Sequence, residues 1–187
     1  MRAKYVLPVV VLAAVVGAWV MAGCGSDHVM RPNPNPGSNY PALLNPYSVL
    51  DALQLAYQAR DTNEIKVIYH DQYDGSSIDQ TDPVPALVNF SKADEVAHVS
   101  ALRRSSAVQN IFLTSAPNRV RFDDAADPVG WATIMNPFVG IQVNDTTVVN
   151  VDLAHITMEF KFIPTPVPSS SKDTTWKIIR WTEIRNP

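Results

Sequence analysis

The sequence predicts an α+β fold, an arrangement of three N-terminal helices packed on a strongly bent antiparallel sheet. Apolar residues recur at helical spacing between residues 47 and 104. Apolar and polar residues then alternate from about 147 to 163, which is the period of a half-buried strand. Helices followed by a run of strands are typical of a domain whose helices cover one face of a sheet.

Capping residues place the three predicted helices. Ser48 and Asp51 resemble a capping box, which predicts a first helix over about 48–60. Asp61 is the cap signal of a short second helix, expected to end near residue 72. Ser91 caps a third helix, and Asp-Gly-Ser-Ser at 74–77 predicts a turn between the second and third helices.

Strands are predicted in the second half of the chain. Pro137 and Gly140 interrupt one of them, which predicts a bulge or a sharp bend there. The candidates are 108–115, 119–122, 131–143, 147–163 and 174–185.

The last strand carries bulky side chains on both faces. Regular alternation puts Trp176 and Ile178 on one face and Ile179 and Trp181 on the other. An uncovered apolar face of this kind would favour self-association, so a homodimer is expected.

Composition excludes several classes of site. The chain has 187 residues, one cysteine and seven glycines, and only Gly75, Gly130 and Gly140 lie beyond residue 46. A single cysteine excludes an intramolecular disulfide and a multi-cysteine metal site. The scattered glycines exclude the dinucleotide-binding fingerprint and the phosphate-binding loop, which need clustered glycines.

The N-terminus has the pattern of an export signal. Arg2 and Lys4 precede an uncharged, mainly apolar run from Tyr5 to Gly23. The segment Met21-Ala22-Gly23-Cys24 resembles the bacterial lipobox, in which small residues precede a cysteine that is lipidated and becomes the first residue of the mature protein. Residues 1–23 are therefore interpreted as a lipoprotein signal peptide. The alternative is an uncleaved anchor helix with an incidental cysteine.

The lipobox resemblance implies a membrane partner and a location. Lipid on Cys24 would anchor the chain to the cell envelope, because several acyl chains bind a bilayer stably. Gly25, rather than an aspartate, follows the cysteine, which under the family's sorting rule implies the outer membrane. Residues 24–46 are rich in proline and predict a semi-rigid tether. The mature chain would have 13 basic and 18 acidic residues, a balance that argues against a nucleic-acid partner.

Residues 47–187 resemble the NTF2-like superfamily, also described as cystatin-like or SnoaL-type, and in particular bacterial lipoproteins that contain such a domain. The residues that carry the resemblance are Val49-Leu50, Leu53, Tyr57 and Arg60-Asp61 in the first helix, then Tyr69 and Tyr73, and finally Trp176 to Trp181.

The resemblance implies a cone with an apolar cavity. The alternative is that the nominated residues fill a packed core, as apolar strand faces usually do. The residues nominated as cavity lining are Tyr57, Tyr69, Phe112, Met135, Ile156, Met158, Phe160 and Trp176.

Two functions are compatible with these observations. The first is a membrane-anchored, non-catalytic module that binds a small apolar ligand or a protein partner. The second is an isomerase- or cyclase-like enzyme, because enzymes of the resembled fold place an acid or a histidine in the cavity. Asp152 and His70 are the candidates for the general base, without an evident paired acid. His98 and His155 add no metal-ligand spacing to His70, so neither a metal nor another cofactor is expected.

Overall fold

The structure is a computed structural model that describes residues 40–144, 146–150, 155–166 and 174–186. These residues confirm the α+β class. In chain order the elements are α1 Pro46–Ala59, α2 Thr62–Ile68, β1 Tyr69–Asp79, β2 Leu87–Ser91, α3 Lys92–Arg104, β3 Ile111–Ser115, β4 Arg121–Phe122, β5 Ala132–Met135, β6 Phe138–Val143, β7 Thr146–Asn150, β8 Ile156–Pro166 and β9 Thr174–Arg185.

Helix α1 begins earlier than its predicted cap. Asn45 is the N-cap, its side chain accepts a hydrogen bond from the Ser48 amide, and the Ser48 hydroxyl accepts one from the Asn45 amide. Pro46 fits the first helical position because the amide hydrogen it lacks has no partner there. The predicted cap at Ser48 is therefore wrong by one turn. Asp51 instead forms a 2.8 Å ion pair with Arg119.

Helix α2 is shorter than expected. Asp61 caps it as predicted, accepting hydrogen bonds from the Asn63 and Glu64 amides. The helix ends at Ile68 rather than near 72, and the predicted turn at 74–77 lies inside strand β1. Pairing with a strand on each side overrides the low strand propensity of this polar segment.

The main sheet is mixed, not antiparallel. Its strand order is β2-β1-β9-β8-β5-β4, and β1 pairs with β9 in parallel. A parallel pair needs a long crossover connection, and here the connection contains α3 and seven strands. Helix α3 follows β1 and β2, so the expectation that all helices precede the sheet is also wrong.

A bend divides the predicted strand 131–143 between two sheets. Asn136 has a φ of 46° and Pro137 follows it, which confirms the predicted break. Strand β5 lies in the main sheet, whereas β6 lies in a three-stranded sheet with the order β3-β6-β7. The predicted strand 147–163 is likewise two strands, of which β7 belongs to the small sheet and β8 to the main sheet.

A bulge in β9 changes which side chains share a face. Phe160 pairs with Trp181, whereas Phe162 pairs with Ile178, so β9 contains one extra residue between these pairs. The Trp181 ring stacks on Phe160 with centroids 4.8 Å apart. Trp181 and Ile178 therefore lie on the same face, and the predicted opposite faces are wrong. The homodimer stays a prediction.

Residues 40–46, assigned to the tether from sequence, lie against the domain. Leu43 is 7 % exposed, and its carbonyl accepts a 2.7 Å hydrogen bond from the Trp176 amide. The Tyr40 hydroxyl donates to Asp61 at 3.0 Å. Among the residues described, no helix has the length and apolar character needed to cross a membrane.

Candidate functional site

A buried carboxylate at the junction of α1, β1 and α3 is the centre of the candidate site. Glu95 is 8 % exposed and lies in the first turn of α3. It accepts hydrogen bonds from the Tyr73 hydroxyl at 2.8 Å and from the Tyr57 hydroxyl at 3.3 Å. These two bonds connect three separate elements through one side chain.

Local structure brings these groups together. Ser91 and Asp94 form the capping box that starts α3 and fixes the position of Glu95 one residue later. Gly75 leaves room for Tyr73, because a Cβ at position 75 would lie 2.3 Å from the Tyr73 hydroxyl oxygen. The absence of a side chain at Gly75 is therefore a condition for the Tyr73–Glu95 hydrogen bond.

Burial dominates the electrostatics of this cluster. It raises the pKa of Glu95, and the Tyr73 and Tyr57 hydroxyls oppose that rise by donating to the carboxylate. Burial, followed by the Glu95 charge, raises the pKa of Tyr57 and of Tyr69. The Tyr69 ring packs against Tyr73 with centroids 4.4 Å apart, and its hydroxyl is buried without a hydrogen-bond partner among the residues described.

The cluster can hold a proton or a negative charge away from water. Tyr73 also lines a surface depression of about 310 Å³. The other lining residues include Phe90, Asp74 and Asp94. Because Tyr73 points its hydroxyl at Glu95, the carboxylate lies behind the wall of this depression and does not line it.

A second buried acid, Glu183, lies on the face of β9 that carries Trp181. It is 8 % exposed, and it pairs across the sheet with Met158 of β8 and Ser77 of β1. Burial raises the pKa of Glu183 to about 7, an effect that the nearby Arg185 charge partly opposes. The indole nitrogen of Trp181 is buried without a hydrogen-bond partner in the part of the chain that the structure describes.

Most residues nominated as cavity lining belong to the packed interior, and that they line a ligand cavity stays a prediction. Met135 and Trp176 are half-buried, whereas Phe112 is 39 % exposed on β3 of the small sheet. The five that are buried are Tyr57, Tyr69, Ile156, Met158 and Phe160.

The candidate bases from the sequence do not join the Glu95 cluster. His70 lies in β1 where the pairing register shifts, and its Nδ1 accepts a hydrogen bond from the Gln72 amide. Burial lowers the pKa of His70. Asp152 and Cys24 lie outside the residues that the structure describes.

The structure brings acidic side chains together around a lysine. Lys161 is 6 % exposed, and its ammonium lies 2.8 Å from Asp127 and 2.9 Å from Asp124. These ion pairs connect the 124–127 loop to β8 through the buried ammonium group of Lys161. No group of three metal-ligating side chains occurs among the described residues.

Sequence reasoning missed Glu95, Tyr73 and Glu183 as site residues. A carboxylate in an amphipathic helix is normally read as solvated. The spacing of Glu95 from the apolar residues of α3 could have indicated that it is buried. Val99 follows it by four residues and Leu102 by seven, and both are buried. A polar residue in line with such an apolar stripe faces the core.

No protein-family model matches the chain, and no curated protein matches it. Solved structures with a similar arrangement do exist. One is a putative calcium/calmodulin-dependent protein kinase type II association domain from Thiobacillus denitrificans, with 12 % identity and a TM-score of 0.47. The match covers 79 % of this chain and 99 % of that one.

Two other solved structures are named NTF2-like. One is a protein of unknown function in nutrient uptake from Rhodospirillum rubrum, with 11 % identity, coverage of 76 % of this chain and 99 % of that one, and a TM-score of 0.47. The other is a cystatin-like-fold protein from Novosphingobium aromaticivorans, with 12 % identity, coverage of 73 % and 77 %, and a TM-score of 0.44.

Gly75→Ala should displace Tyr73 from Glu95. The added methyl group meets the Tyr73 hydroxyl oxygen, so we expect the free energy of unfolding to fall by about 2 kcal/mol. In a Tyr73→Phe background the nearest clashing atom is gone, although the ring carbon Cζ remains 2.8 Å away, so the same substitution should cost less than in the native chain. Urea unfolding of the four proteins of this cycle measures the difference. Equal costs in both backgrounds would show that Gly75 does not serve the Tyr73–Glu95 contact.

Glu183→Gln should change stability in a pH-dependent way. The folded pKa of about 7 exceeds the ordinary value of 4.5, so the stability associated with Glu183 is fully present below pH 4.5 and is lost as pH rises through 7. Relative to the native chain, the variant should therefore gain stability across this window, by up to about 3 kcal/mol.

Asp94→Asn is the control for Glu183→Gln, because the stability that Asp94 contributes should change with pH in the opposite direction. The Ser91 hydroxyl holds the pKa of Asp94 below its usual range, so the stability that Asp94 contributes is present at neutral pH and is lost in acid. Urea unfolding between about pH 2 and pH 8 measures both differences, because the Asp94 contribution is lost only as the pH falls below the ordinary value of 3.8. Parallel pH profiles for the native chain and Glu183→Gln would contradict the buried, proton-binding state of Glu183.

Proposed function

We propose that this chain is a lipid-anchored cell-envelope protein whose NTF2-like domain binds a partner without catalysing a reaction. In this proposal residues 1–23 are removed, Cys24 carries the lipid in the outer membrane, and the proline-rich segment holds the domain away from the bilayer. The bound species is a small apolar ligand or a protein, and the binding surface lies on the outside of the domain.

The lipobox pattern supports the anchor. Cys24 is the only cysteine of the chain, and it follows two small residues at the end of an uncharged run. A membrane anchor of this type needs more than one acyl chain to be stable, and the lipobox resemblance implies such lipidation. The burial of Leu43 and the hydrogen bond from the Trp176 amide to its carbonyl support the view that the tether ends near residue 40.

The packed interior is the observation that carries the non-catalytic part of the proposal. Met158 is 1 % exposed and Phe160 is fully buried, with Phe138 edge-on to Phe160 on one side and Trp181 stacked on it. Glu95 is engaged by two tyrosine hydroxyls. A site that must admit and release a substrate normally keeps a concave space beside its reactive groups.

An isomerase- or cyclase-like enzyme is the second candidate. One observation favours it: Glu95 is a buried carboxylate with a raised pKa beside three tyrosines, a combination that acid–base catalysis uses. In this alternative Glu95 replaces His70 as the strongest general base among the described residues. It requires the interior to open for a substrate.

Cys24→Ser tests the anchor. In cells supplied with tritiated palmitate, we expect the native chain to incorporate label and Cys24→Ser to incorporate none, with Ser26→Ala as a control that keeps the label. Mass spectrometry of the native protein should find an acylated N-terminal cysteine and no residues 1–23. An unmodified Cys24 in an uncleaved chain would refute the lipoprotein assignment.

An apolar probe tests the packed interior. We expect 2-naphthol to leave the methyl resonances of Met158 and Ile156 unchanged, because their surroundings are occupied by protein atoms. The full chain in detergent is titrated and followed by methyl NMR, with the exposed Val129 methyl groups as a reference for nonspecific contact. Saturable shifts at Met158 would favour a ligand-holding or catalytic interior over surface binding.

A further inference from the structure

A second surface depression lies where residues 40–43 run beside α2. Its volume is about 340 Å³, and its walls are this segment together with Asn63, Glu64 and Val67 of the helix. Leu43 gives the wall a buried apolar side chain, and Val67 is 48 % exposed. The depression is thus an apolar trough with a single carboxylate among its lining residues.

That carboxylate belongs to Glu64, a mostly buried residue whose oxygens still reach the solvent in the depression. Glu64 is 8 % exposed, although the depression it lines is open to solvent. Within the described ranges its side chain takes part in no hydrogen bond and no salt bridge. A carboxylate that faces a partly dehydrated depression, with no cation of the protein beside it among the described residues, complements a positively charged ligand group.

The neighbouring acid, Asp61, cannot supply what Glu64 lacks and adds to the negative charge. Its carboxylate accepts hydrogen bonds from the Tyr40 hydroxyl at 3.0 Å and from the Asn63 amide at 2.9 Å. Burial, followed by the charge of Asp61, raises the pKa of Glu64. Lys66, on the same helix, is exposed and lies outside the lining.

We infer that this depression binds an organic cation: a protonated primary amine on a short alkyl stem. The ammonium group pairs with the Glu64 carboxylate, and the stem lies along Val67 and Leu43. A free alkylamine or the lysine side chain of a partner protein offers this chemistry. The inference rests on the proposed function in treating the domain as a binding module, and it specifies that the bound species presents an ammonium group beside its apolar stem.

The test uses n-butylamine, which is protonated at pH 7 as a lysine side chain is. The full chain in detergent is titrated and followed by amide NMR. We expect saturable shifts at Leu43, Glu64 and Val67, with a dissociation constant of roughly 1 mM for so small a ligand. n-Butanol, which has a stem of equal length and no charge, should not shift these amides at the same concentrations.

Glu64→Gln keeps the shape of the side chain and removes its charge, so the fold should be retained. We expect it to weaken n-butylamine binding at least about tenfold. Asp123→Asn removes one negative charge from an exposed side chain elsewhere and should change the affinity less than about twofold. Equal affinities of the native chain and Glu64→Gln, or equal shifts with n-butanol, would overturn the inference.

Nα-acetyl-lysine N-methylamide distinguishes the two sources of the amine. Tighter binding of this compound than of n-butylamine would assign the site to a lysine side chain of a partner protein, whereas tighter binding of n-butylamine would assign it to a free amine. Neither result depends on lipid at Cys24. A failure of amine binding in a lipidated protein would therefore count against this inference alone.

Discussion

The pairing of β8 with β9 sets the geometry on which the rest of the domain depends. The extra residue in β9 puts Ile178 and Trp181 on one face, where they meet Phe162 and Phe160. Without this bulge the strand would turn half of its bulky side chains away from the core. The bulge also determines that Glu183, two residues after Trp181, faces inward and is buried.

The buried carboxylates Glu95 and Glu183 lie in different surroundings. Glu95 is compensated by two phenolic donors, so its burial is partly offset by hydrogen bonds to the charged form. Glu183 accepts no such hydrogen bond within the described ranges, and burial raises its pKa as it raises that of Glu95. The two acids share the effect of burial and differ in the hydroxyl donors that oppose it.

Sequence periodicity was informative where packing follows a regular pattern. Helix α1 was predicted to within a turn because its apolar stripe has a clear helical period. Strand β1 was missed because its sequence, with Asp74 and Gly75 at its centre, has little intrinsic strand preference, and only pairing with β2 and β9 makes it a strand.

The candidate site was harder to predict for the same physical reason. The bulge at Ile179 exists only relative to a partner strand, so alternation along β9 alone gave the wrong faces. Glu95 was missed because its two hydrogen-bond donors, Tyr57 and Tyr73, come from distant parts of the chain. Contacts between distant residues leave no local pattern in a sequence.

The position of β9 between β1 and β8 also governs how the domain can assemble. Tyr69 of β1 finds Ile178 as its partner only after nearly the whole domain has been synthesised. Before that, β1 can pair only with β2, and a two-stranded hairpin is marginally stable in water. The main sheet therefore cannot close until its last strand inserts, and contacts of such long range are expected to form slowly.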